Sequence, residues 1–153
     1  MTSTLDWGNS LLVGVQKSLL DCLQLIQNVA AGVITRTKKY EHITPVLKDL
    51  HWLPVRERIT FKLLLLTYKA QHNLAPAYLS DLLTTYKPTR SLRSESKHLL
   101  CIPKAKSKKG SRAFCIAAPT HWNDIPQEIR TAPTVDTFKS RLKKFLFQKC
   151  YGC

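Results

Sequence analysis

The stretch VRERITFKLLLLTYKAQ, Val55 to Gln71, places apolar side chains three and four positions apart. Ile59, Leu63, Leu66 and Ala70 fall on one face of an α-helix at that spacing, and a core stripe is expected there. Arg58, Lys62 and Lys69 lie four and seven residues apart. At about 100° per residue they sit within about 40° of one another, so the same helix carries a basic stripe. On most exposed helix faces such a stripe simply meets water, but Arg58, Lys62 and Lys69 are also candidate nucleic-acid contacts, a second basic face beside the arm.

Upstream, His51-Trp52-Leu53-Pro54 breaks the helical pattern, and Trp52 reads as a wedge closing two helices. Thr44-Pro45 reads as N-cap and first position of a short helix to about Leu50. Within 16–35, Leu19, Leu23, Ile26, Ala30 and Val33 share one face and predict a long helix, ended by the polar run Thr35 to Lys39.

Downstream, Asn73-Leu74-Ala75-Pro76 is a turn, and a short helix is expected over Ala77 to Leu83. Residues 118–130 read as a short helix and a turn around Trp122 to Pro126. Thr134 caps a final helix whose apolar stripe is Val135, Phe138, Leu142, Phe145 and Leu146. Between these parts, His98 to Ile102 reads as a strand that Arg112 to Ala117 would pair with, across a turn at Lys108 to Ser111. The fold expected is mainly α: an irregular helical domain with a basic loop or small β-hairpin arm inserted before the last helices. Its parts are a helical core at 1–86, the arm at 87–112 and a helical segment at 113–153 that packs back on the core.

The 153 residues suit one domain or two small subdomains, and a hydrophobic content of 44% suits a packed core. Net charge is +14, with 24 Lys and Arg against 10 Asp and Glu. Residues 87–112 carry 9 basic and 1 acidic side chains, more than half of the excess. So dense a patch points to a polyanion, and Arg90, Arg93, Lys104, Lys106, Lys108, Lys109 and Arg112 are its candidate phosphate contacts. Tyr86 and Phe114 alone interleave with these cations, so backbone contacts without sequence preference are expected. Lys104 to Lys109 also fits a nuclear-import signal.

Cofactor, metal and small-molecule chemistry are not expected. The sequence contains no Asp-Asp pair, no G-x-S-x-G elbow and no glycine-rich phosphate loop. His98, Cys101, Cys115 and His121 have the ligand types for zinc, but their order and gaps fit no finger spacing. Cys150 and Cys153 form a CxxC at a helix C-terminus, the wrong end to activate a thiolate. Five cysteines and no secretory signal suggest an intracellular chain, nuclear or cytoplasmic. No apolar run approaches the ~20 residues that span a bilayer. The basic amphipathic last helix fits docking as well as it fits an anionic membrane, and no membrane partner is expected.

Seven phrases occur in one order along the chain. They are Leu5 to Leu12 (LDWGNSLL), Leu23 to Ala31 (LQLIQNVAA), His42 to Leu47 (HITPVL), Leu50 to Val55 (LHWLPV), Arg90 to Ser94 (RSLRS), Trp122 to Pro126 (WNDIP) and Thr137 to Lys143 (TFKSRLK). As a set they resemble the C-terminal, thumb-like region beyond the palm of LINE-type (non-LTR) retrotransposon reverse transcriptases. Trp7 and Gly8 depart from the family's Tyr and Cys. The resemblance implies that intact relatives carry an endonuclease and an RNA-directed DNA polymerase, whose aromatic-x-Asp-Asp turn has no counterpart here. Two-metal nucleotidyl transfer needs clustered carboxylates, and the acids here are scattered. It further implies that Leu5 to Leu12 lies inside a family helix, so that the chain is a truncation product. The expected function is that of a non-catalytic remnant, not an enzyme, which contacts RNA or DNA backbone through the basic arm. The alternative is a relic reading frame with no selected biochemical function.

Overall fold

A computed structural model describes residues 8–38, 40–87, 98–107 and 109–152. Seven α-helices lie among them: α1 (Lys17–Thr35), α2 (Ile43–Asp49), α3 (Val55–Gln71), α4 (Ala77–Asp81), α5 (Phe114–Asp124), α6 (Gln127–Arg130) and α7 (Val135–Tyr151). Short 3-10 turns occupy Asn9–Leu12 and Gly110–Arg112. The mainly α expectation holds.

Helix α3 is the axis of the fold. It touches α1, α4, α5, α7 and the first 3-10 turn. Ile59, Leu63 and Ala70 of the expected stripe are buried, with Leu66 half-buried. Leu64, Thr67 and Tyr68 are buried as well, so the helix is enclosed on two sides. One cluster joins Val55, Ile59 and Leu63 to Val13, Ala117 and Ala118. A larger one joins Leu64 and Tyr68 to Leu53, Leu100, Trp122, Ile125, Ile129, Phe138, Leu142 and Leu146. Chain on both sides of the basic segment thus shares one core. Two buried hydroxyls there are matched. Thr67 Oγ1 donates to Leu63 O at 2.9 Å, and Tyr68 Oη to Ala132 O at 2.7 Å. The Tyr68 ring stacks on Phe138 with centroids 4.3 Å apart.

Helix α7 follows its sequence closely. Phe138, Leu142 and Leu146 are buried one turn apart, and Thr134 Oγ1 accepts from Thr137 N at 3.2 Å as the N-cap. The chain leaves through Gly152 in the left-handed region, φ 63°.

Helix α1 departs from expectation. The buried positions are Gln27 and Ala31, with Leu20, Leu23 and Gln24 half-buried beside them. Leu19, Ile26 and Val33 of the expected face point to solvent, with Leu25, Val29 and Ile34. Two amides turn the helix this way. Gln27 Nε2 donates to Leu53 O, and Gln24 Oε1 accepts from Val55 N, both at 2.9 Å. Val55 N–H is an orphan donor at the start of α3, and Pro54 before it supplies no side-chain cap. A side chain 31 residues upstream does so instead. By length and composition alone α1 reaches the measure of a membrane span, with a mean hydropathy of 1.3, contrary to the sequence expectation.

Smaller differences concern helix ends. Helix α2 begins at Ile43, so Pro45 sits inside the first turn, where its missing N–H costs nothing. It ends through His51 at φ 53°, with Trp52 N donating to Leu47 O at 2.9 Å. Helix α4 stops at Asp81, two residues short, tied to α3 by Ser80 Oγ donating to Ala70 O at 2.7 Å.

The expected hairpin does not form. Among the described residues there is no strand, only an antiparallel bridge of Leu100 with Thr85. The segment Arg112 to Ala117 enters a 3-10 turn and then α5. The reason is packing: as helix, α5 buries Ala117 and Ala118 in one core cluster and Trp122 in the other.

Candidate nucleic-acid interface

The basic segment is held at both of its described ends. At the first, Leu100 N donates to Asn123 Oδ1 at 3.0 Å and Asn123 Nδ2 returns a bond to Leu100 O at 2.9 Å. Trp122 Nε1 donates to His98 O at 2.9 Å, and Cys101 N to Thr84 O at 2.8 Å. At the other end, the Arg112 side chain lies over Gly14. A Cβ at Gly14, which has φ +71°, would come within 2.8 Å of Arg112 Cγ, so both the backbone and the space favour glycine there. Between these anchors, Lys104, Lys106 and Lys109 are exposed. Arg90, Arg93 and Lys108 lie outside the described residues.

The second basic surface is a cleft of about 430 Å³ beside α3. Arg58 and Lys62 line it, and the structure adds Lys143 of α7. Lys69, the third member of the expected stripe, is not part of it. Seven residues further on, it lies about 10 Å along the helix axis from Lys62. The walls are Trp52, Leu53, Phe61 and Leu65, with His51 at the rim, its ring 5.6 Å from that of Phe147 and nearly parallel to it. Lys143 was recognisable in the sequence only as a cation off the α7 stripe. Its partnership with Lys62 depends on how α7 crosses α3.

Arg112 stands apart from this cleft. Gly14, beneath Arg112, lines a different pocket with Arg56, Glu57, Thr60, His121 and Lys149. Arg56 and Thr60 face nearly opposite to Phe61 and Leu65 at helical spacing. In this second pocket burial holds the His121 imidazole below its ordinary value; Asp124 and Glu57 pull it up and Lys149 pushes it down. Burial, then Glu57, pushes the Cys150 thiol up to about 11, against the pull of Lys149. A thiol so placed stays protonated near neutral pH and is a poor nucleophile.

Among the described residues no three His, Cys, Asp or Glu side chains meet as a metal site. His98 and Cys101 are engaged near α5 and Thr85: the His98 carbonyl accepts from Trp122, and Cys101 Sγ lies 3.8 Å from Thr85 O.

Compared with known proteins, the chain matches no family model, no curated protein and no solved structure.

Proposed function

We propose that the chain is a non-catalytic C-terminal segment of a LINE-type reverse transcriptase that contacts the phosphate backbone of RNA or DNA. The family reading rests on the seven collinear phrases between Leu5 and Lys143. The contact reading rests on one observation: Lys104, Lys106 and Lys109 stand exposed on a segment anchored at both described ends. Anchoring lowers the entropy lost when such cations meet phosphates, and released counterions supply the drive. Localisation inside the cell, nuclear or cytoplasmic, belongs to the same proposal.

The test is a titration of the protein against a structured RNA and a duplex DNA at low and near-physiological salt. Each phosphate contact adds about 0.9 to the log–log salt slope on duplex DNA. Changing Lys104, Lys106, Lys108 and Lys109 to Glu is expected to abolish binding near physiological salt. Equal binding by parent and variant would sink the arm as the interface.

A second reading, a relic frame without selected function, has its own support in the outward face of α1. Leu25 and Val29 there are 64% and 59% exposed, and large apolar surface without a cover marks a lost or missing partner.

A further inference from the structure

The cleft beside Trp52 has features that backbone contact does not use. Three observations describe it. First, the backbone that carries its aromatic wall is fixed in place. Trp52 N donates to Leu47 O at 2.9 Å, Tyr151 Oη donates to Trp52 O at 2.7 Å, and Gln27 Nε2 holds the next carbonyl. Helices α1, α2 and α7 therefore clamp the backbone that carries the indole.

Second, this indole stays half-open. Trp122 is fully buried, stacked on Phe138 with its N–H bonded. Trp52 is half-buried, and among the described residues no ring stacks on it. Third, Lys62 and Lys143 reach the same apolar cleft from two helices, and no carboxylate lines it among the described residues. Cations gathered around apolar walls match a ligand with a flat apolar body and an anionic edge. The volume falls in the usual range for small-ligand sites, about 300–1,000 Å³.

We propose that this cleft seats one unpaired nucleotide of a single strand, its base against Trp52 and Phe61 and its phosphate against Lys62 and Lys143. The proposal rests on the nucleic-acid reading above and adds a base-dependent site to it. A duplex keeps its bases stacked and cannot offer one to the cleft without unpairing, so the site discriminates single from double strands.

The experiment uses the full chain and fluorescent strands of one length: base-containing single strands as RNA and as DNA, an abasic single strand with the same phosphates, and a DNA duplex. Base–aromatic stacking predicts that the abasic strand binds about ten-fold more weakly than at least one base-containing strand. Trp52→Leu and Phe61→Leu are expected to erase that difference. Lys143→Glu, on an exposed position of α7, keeps the test open should either aromatic variant fail to fold. It is expected to weaken single-strand binding about five-fold or more and leave duplex binding nearly unchanged. Equal affinity for abasic and base-containing strands would overturn the cleft while leaving backbone contact standing. So would single-strand binding indifferent to Lys143→Glu. Failure of every strand to bind near physiological salt would overturn both readings.

Discussion

Arg130 illustrates what a single side chain does for this fold. It is 7% exposed, and its Nη1 donates to the carbonyls of Trp122, Asn123 and Ile125 at 3.3, 3.1 and 2.9 Å. These carbonyls terminate α5, where intrahelical donors have run out and the helix dipole is negative. Burial lowers the guanidinium pKa, but a guanidinium remains charged at any physiological pH. Arg130→Ala would leave the carbonyls buried without a donor. A loss of about 2–4 kcal/mol in unfolding free energy is expected from urea titration. Arg130→Lys should recover only part of it, since an ammonium lacks the planar fork. A loss below about 0.5 kcal/mol for the alanine variant would show that the α5 terminus is satisfied by other means. Nothing in the local sequence announces this role. Arg130 reads as one more cation among 24 until α6 folds it back over α5.

At the scale of the element, the helices divide by how they are specified. Helix α7 carries its own instructions: Thr134 at the cap, apolar residues one turn apart, Gly152 at the exit. Asp136 in the first turn also pairs with Lys139 at 3.0 Å, on an exposed surface where such a pair adds little. Thr134→Ala is expected to cost about 1 kcal/mol, with amide exchange rising first at Thr137. Thr134→Ser should restore both; unchanged exchange at Thr137 would show that the cap is dispensable. Helix α1 is the opposite case. Its period is plain, but the face it buries is chosen by Gln24 and Gln27, whose amides answer free backbone groups at the α2–α3 junction. The polar pair is buried in place of the most regular apolar stripe, and Gln24 meets the N–H at the start of α3, which left unpaired would cost about 1–3 kcal/mol.

For the whole molecule, the two clusters on either side of α3 decide whether the chain behaves as one unit. Leu63 and Leu64 are neighbours in sequence and belong to different clusters, and partly buried Leu83 packs on both. Unfolding is therefore expected to be a single cooperative event. Far-UV circular dichroism and tryptophan fluorescence should give coincident denaturation curves. Leu64→Ala, at a fully buried position, is expected to lower stability by about 2–5 kcal/mol without splitting the transition. Curves that separate in the parent protein would favour the relic reading, in which the exposed face of α1 reports a structure that no longer closes.

The sequence by itself determined the helical class, most of the helix positions, the core stripes of α3 and α7 and the location of the charge. Those features follow from periodicity, capping residues and composition, which act over a few residues. Only the tertiary structure decided which face of α1 is buried, that Phe114 to Ala117 is helix rather than strand, that Lys69 stays outside the cleft that Lys62 lines, and that Lys143 joins Lys62 beside Trp52. Each of these depends on groups brought together from distant parts of the chain, 31 residues in the case of Gln24 and Val55. Local spacing carries no record of where a backbone donor elsewhere is left unmet. Packing settles such choices through the cost of burying that donor unpaired.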